Sequence, residues 1–304
     1  MTPEAATLVE EYNTALYNLN PLENKLKNCS DSFWDEISQT LLPEHFIRTF
    51  KDKVNWKLIS QNLLHQDFII DEFRELVDWE MISYSKNLSE LFIRAFNDLV
   101  GWKMILQYQD LSEDFIREFQ DKVDWNLISK YQNLFEKFIV EFQNKINWYS
   151  LCRYHNISEH LIRQFSERIG WDTISKYQTL SEDFIRDYKN KVDWKWVSRY
   201  QRLSEDFIRD FQDNVEWDLI SQYQRLSENF IREFQDKVCW KWISKYQPLS
   251  ENFIIDFQNN VEWNKISKYK DLSEDFIREF KGKLNWKRIK CYQVLSEDFI
   301  REFE

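Results

Sequence analysis

Tryptophan recurs through this chain at a fixed interval. It stands at positions 34, 56, 79, 102, 125, 148, 171, 194, 217, 240, 263 and 286; the first interval is 22 residues and every later one is 23. A constant period of roughly 20 to 50 residues marks a stacked repeat array, because a unit too small to bury its own apolar face must bury it on its neighbour. The surrounding phrase is clearest from Leu111 to Asn133, LSEDFIREFQDKVDWNLISKYQN. It returns from Leu180, Leu203, Leu226, Leu249 and Leu272, with a half copy from Leu295.

Each copy reads as two helices. Ser112 is a favoured N-cap, Glu113 and Asp114 place negative charge in the first turn, and Leu111 can staple onto Ile116. At about 100° per residue, Phe115, Ile116, Phe119 and Val123 share one apolar arc. Glu113 with Arg117, and Glu118 with Lys122, stand four apart in the favourable order. The second helix is shorter, with Asp124 as N-cap and Trp125, Ile128 and Tyr131 as its apolar face. The residue before the tryptophan is a good cap in most copies: Asn55, Asp78, Gly101, Asp124, Asn147, Gly170, Asp193 and Asn285. Glu216, Cys239 and Glu262 depart from this rule and are expected to cap more weakly.

Composition agrees. Only 3 glycines and 4 prolines occur in 304 residues. Hairpin-rich β folds and phosphate-binding loops need far more glycine than that. The expected fold is therefore all-α, an α-solenoid of helix–turn–helix units with a 23-residue period and about eleven and a half copies. It is shorter per unit than the roughly 33 to 47 residues of common helical repeats. Residues 1–28 read as an N-terminal capping region and 29–304 as a single solenoid. The capping helix is expected over residues 3 to 19, with Leu8, Tyr12 and Leu16 as its stripe and Pro21 as its stop. The copy from Leu64 has lost one residue and reads FIIDEF, which predicts a bulged or shifted helix. The copies from Leu134 and Ile157 diverge most.

Lys and Arg total 41 against 52 Asp and Glu, a net charge of −11 with a pI near 5.1. Both signs are mixed along the chain, as on a solvated helical surface. Mean hydropathy is −0.65, and neither an 18-residue apolar run nor a signal-like N-terminus is present. Four separated cysteines without a CxxC pair suit a reduced, intracellular setting.

Function is less constrained. The four histidines, His45, His65, His155 and His160, recur in no catalytic set, so the chain reads as non-enzymatic, without cofactor or metal. Cys152, His155 and His160 replace a Ser, a Gln and an Asp of the repeat on different helical faces, a pattern that repeat drift explains better than metal ligation. A basic row, Lys130, Arg153, Lys176, Arg199, Lys245 and Lys268, together with Trp196 and Trp242 could serve a nucleic-acid strand, but the acidic balance disfavours it. The stronger lead is where copies differ. Two residues after the core tryptophan they carry Leu58, Met81, Met104, Leu127, Ser150, Thr173, Trp196, Leu219, Trp242, Lys265 and Arg288. Of these, Leu58, Met81, Met104, Leu127, Trp196, Leu219 and Trp242 are candidate protein-binding residues at the edge of the buried face, with packing on the next repeat as the competing role. Phe299, Ile300 and Phe303 in the final half copy are candidates for end-to-end self-association.

The LSEDFIREFQDKVDWxxISKYQ phrase resembles the tandem repeats found in proteins of giant DNA viruses that infect amoebae, of the mimivirus kind. The resemblance spans residues 42 to 304. It supplies no catalytic residues to carry over. It implies a viral protein made inside a host cell, in host cytoplasm or virion, engaging host or viral proteins. The expectation is a protein–protein scaffold or adaptor, with a nucleic-acid-binding array or a self-assembling structural protein as alternatives.

Overall fold

The computed structural model describes residues 3–14, 19–61, 72–84 and 88–302. Among them all regular structure is helical, in a series of short repeats of the solenoid type. The chain divides into two compact units, residues 1–147 and 148–304. Each is an all-α repeat array with its own core.

The repeat can be followed over 181–201. Ser181 is extended and its Oγ accepts from Phe184 N at 3.1 Å, opening the helix Glu182–Asp187. That helix is only six residues long. Its equivalent in the clearest copy, Glu113–Glu118, ends before Phe119, so Phe119 and Val123 sit at its C-cap and in the following turn rather than on one continuous helix. The side chains still join the core, because a helical turn continued by a 5→1 bond, Val123 N to Phe119 O, keeps them on one side. Asp193 then caps the helix Trp194–Tyr200, its Oδ1 accepting from Lys195 N and Trp196 N. These two elements are called the Phe helix and the Trp helix below. Glu216, Cys239 and Glu262 make no side-chain cap bond. Neither do Gly101 and Gly170, whose φ of −75° and −68° is open to every residue.

Three kinds of rung join each repeat to the next. Trp194 packs its ring on Phe207 and Phe211 of the following copy, centroids 6.3 and 5.1 Å away, while its Nε1 donates to Lys189 O. Such pairs add about 0.5–1.5 kcal/mol beyond the area they bury. Ser198, fully buried, donates to Trp194 O and accepts the N–H of the next cap, Glu216, at 2.9 Å. Gln201, also buried, donates from Nε2 to Ser175 O and Gln178 O and accepts at Oε1 from Leu180 N. The serine and glutamine rungs recur through the array. They satisfy backbone groups that a loop between short helices would otherwise strand without partners.

The structure corrects several expectations. Pro21 does not stop a helix. The first helix is Pro3–Thr14, and Pro21 lies in the first turn of a second one, Leu19–Lys27, where a missing N–H costs nothing. Leu8 is buried in the first core; Leu16, and the side chain of Tyr12, lie outside the described residues. The irregular FIIDEF helix falls largely within 62–71 and is also outside them. Glu118 and Lys122 do not pair with each other: Glu118 accepts from Arg94, and Lys122 reaches Asp98, both one copy back. Tyr131 and its equivalents do not complete the apolar face of the Trp helix. Ile128 and Ser129 are buried there, and most of the tyrosines are exposed.

Candidate functional site

Of the residues two after each tryptophan, Leu58, Met81, Met104, Leu127, Trp196, Leu219 and Trp242 are half-buried, whereas Thr173 is buried. Trp196 stacks on Tyr200 at 5.7 Å and Trp242 lies 5.8 Å from Tyr246, so both rings lead outward to the tyrosines. Phe299 is fully buried against Trp286, and Ile300 is half-buried; Phe303 lies outside the described residues. Cys152 is buried, and desolvation pushes its thiol up to about 12, so it is no thiolate at neutral pH. Among the described residues no group of His, Cys, Asp and Glu has the arrangement of a metal site. No helix there is long and apolar enough to cross a membrane.

The charge mixed along the chain separates by helix. In the second unit the Trp helices, from Trp148–Tyr154 to Trp286–Tyr292, carry eleven Lys and Arg and only Asp172 and Asp218. The Phe helices of the same unit, from Glu159–Phe165 to Glu297–Glu302, carry seventeen Asp and Glu and six Arg. The two groups also differ in pairing. On the Phe helices Arg163, Arg186, Arg209, Arg232 and Arg278 each reach a carboxylate of the next copy at 2.7–3.0 Å. Glu182, Glu205, Glu228, Glu251 and Glu274 accept the backbone N–H of the next serine cap. None of the eleven cations on the Trp helices is within ion-pair distance of a carboxylate among the described residues.

Tyrosine stands beside those cations. Tyr154, Tyr177, Tyr200, Tyr223, Tyr246, Tyr269 and Tyr292 are between 37% and 54% exposed. They belong to Trp helices packed in series from 148–154 onward. Arg199 lies 5.1 Å from the centre of its own Tyr200 and 4.9 Å from Tyr223 of the next copy. Lys245 repeats this with Tyr246 and Tyr269 at 4.5 and 5.3 Å, and Lys268 with Tyr269 and Tyr292 at 4.9 and 4.8 Å. Each exposed contact is worth about 0.5–1 kcal/mol and fixes where the cation sits. Lys245 donates to Tyr246 Oη at 2.8 Å, which raises the ammonium's pKa and holds the phenol below its usual value. Arg199 Nε is buried and has no hydrogen-bond partner.

Two grooves open on this surface. One, of about 770 Å³, is lined by Tyr223, Arg225, Lys245, Tyr246, Tyr269 and Lys270 among others. The second, of about 380 Å³, is lined by Lys268, Lys287, Arg288 and Tyr292 together with Asn285 and Cys291. The basic row read from the sequence thus does form, in the second unit from Arg153 to Lys268. The tyrosines that hold it were assigned to the core and so were missed as surface residues. What the arrangement offers chemically is a strip of oriented cations and phenol hydroxyls, once per copy, without a nucleophile or general base among them. No family model, curated protein or solved structure matches the chain.

Proposed function

We propose that the protein is a non-enzymatic scaffold that binds an acidic protein partner along the tyrosine–cation strip of its second unit. The observation that carries this reading is the set of unpaired cations on the Trp helices, next to Phe helices whose arginines are all engaged or lie at the last copy. Unpaired, oriented positive charge on a molecule of net charge −11 is a specific surface rather than a general one. Tyrosine and arginine are the residue types that concentrate binding energy at protein interfaces. A single-stranded nucleic acid would need free ring faces for its bases. Here the guanidinium and ammonium groups already lie over those rings, which favours carboxylates arriving between them.

The test is binding to a dye-labelled ten-residue polyglutamate peptide by fluorescence anisotropy at about 50 mM salt. Saturable binding that weakens about tenfold or more in Arg199→Gln/Lys268→Gln, and that falls steeply as salt rises, supports the reading. Absence of binding up to millimolar protein, or binding indifferent to that double substitution, refutes it.

A further inference from the structure

One rung of the glutamine ladder carries a lysine. In the second unit Gln178, Gln201, Gln224, Gln247 and Gln293 each accept at Oε1 from the N–H of the Ile or Leu 21 residues earlier, at 2.9–3.2 Å. At the equivalent position of the two other copies of this unit stand His155 and Lys270. An ammonium has three donors and no acceptor. Lys270 keeps the donor half of the rung, its Nζ bonding to Gln247 O and lying 3.5 Å from Lys245 O. It cannot keep the acceptor half, so the Leu249 N–H that a glutamine would have met has no protein acceptor among the described residues.

The consequence is local and chemical. Every intact rung is neutral, with its groups mutually satisfied. This one has a cation only 7% exposed, with neither a carboxylate paired to it nor a protein acceptor for the Leu249 N–H among the described residues. Burial pushes the Lys270 amine down to about 8. Lys270 and Leu249 both line the larger groove, with Arg225, Lys245 and Tyr246 on its walls and Asp271 as its one carboxylate. Pro248, which has no N–H of its own and a fixed φ, precedes Leu249 and holds that segment. A buried, unpaired charge with an adjacent free donor is stabilised by an anion that accepts from both.

We infer that Lys270 and the Leu249 N–H form a carboxylate subsite, which seats one Asp or Glu side chain of an acidic segment lying along the tyrosine strip. The subsite rests on the scaffold reading above, and gives that strip a fixed register at one copy out of the series. A carboxylate side chain fits it better than a nucleic-acid strand, because the neighbouring ring faces on which bases would stack already carry guanidinium and ammonium groups.

Lys270→Gln is the decisive variant, because it restores the repeat's own residue and so is expected to fold at least as well as the parent. The measurement is anisotropy with the same labelled polyglutamate peptide and with a ten-nucleotide thymidine strand, on the full chain, the Lys270→Gln protein and Arg199→Gln/Lys268→Gln. The expected result is about tenfold or greater weakening of peptide binding in Lys270→Gln, the scale of one charge-assisted hydrogen bond lost, with thermal stability raised. Unchanged peptide affinity in Lys270→Gln together with weakened affinity in the double variant overturns the subsite and leaves the scaffold reading standing. No peptide binding by the full chain overturns both. Tighter binding of the thymidine strand, with the same dependence on Lys270, assigns the site to nucleic acid and overturns the carboxylate.

Discussion

Lys270→Gln also tests the ladder as a source of stability, apart from any ligand. Two contributions can be worked from the structure. The first is the buried charge. An amine held near 8 instead of 10.5 costs the fold up to about 3 kcal/mol at neutral pH, at about 1.4 kcal/mol per pH unit. Water on the groove side screens part of that, leaving about 1–2 kcal/mol. The second is the Leu249 N–H, which gains an acceptor worth about 1 kcal/mol. Together they predict a gain of about 2–3 kcal/mol. For a unit of this size that is a rise in melting temperature of roughly 5–10 °C. The assay is thermal unfolding followed by circular dichroism, parent against variant, from pH 7 to pH 10.5. The sign follows from proton counts. Between the folded pKa near 8 and the unfolded value near 10.5, the unfolded chain binds more protons, so the parent gains stability as pH rises through that window. Below pH 8 the full penalty is present. The gap between the two proteins should therefore be widest at pH 7 and shrink toward about 1 kcal/mol at pH 10.5. Tyr246 and Tyr269 titrate in both proteins and largely cancel in the difference. A variant that melts no higher than the parent at pH 7, or a gap that widens with pH, refutes the reasoning.

Ser198→Ala leaves the Glu216 N–H without its acceptor and should lower stability by about 1–2 kcal/mol in a urea titration, with the helix content unchanged. Gly101→Asp places a side-chain acceptor at an N-cap that has none, and an added Cβ there meets only ordinary contacts, the nearest at 3.6 Å. It should raise stability by about 0.5–1 kcal/mol, read as a higher urea midpoint. Trp196→Ser with Trp242→Ser removes two half-buried rings that buttress Tyr200 and Tyr246. Peptide affinity should fall several-fold while the protein stays folded; undiminished affinity removes both residues from the binding surface.

Much of the fold was legible because the repeat states its rules many times over. The period fixed the architecture, and the residue before each tryptophan identified strong and weak caps. Glu216, Cys239 and Glu262, read as poor caps, make no cap bond. The tyrosines were misplaced for an angular reason. At about 100° per residue, Tyr131 lies roughly 110° from the midpoint between Ile128 and Ser129, beyond the edge of the buried arc. Ser129 lies about 50° from that midpoint, within the arc, but its polarity disguised it. The glutamine rung was hidden for a different reason. Gln132 follows the helix in extended backbone, where helical angles say nothing, and its three partners are 21 to 26 residues away. Its one signal was recurrence of an uncharged amide at a loop position that solvent alone would let vary. The separation of charge between helices was legible in principle, since it needs only the helix bounds, but a whole-chain balance averages it away.

Every rung described above spans about one copy of sequence and no more. Removing residues 203–225 would join Arg202 to Leu226 and present Ser198 with the N–H of Cys239 in place of Glu216, its equivalent one copy on. All other bonds would find equivalent partners in the same way. A gene encoding such a chain can therefore gain or lose copies by unequal recombination without any compensating substitution. Copy number is then nearly neutral for folding. A single departure such as Lys270 becomes the landmark from which the remaining copies are counted.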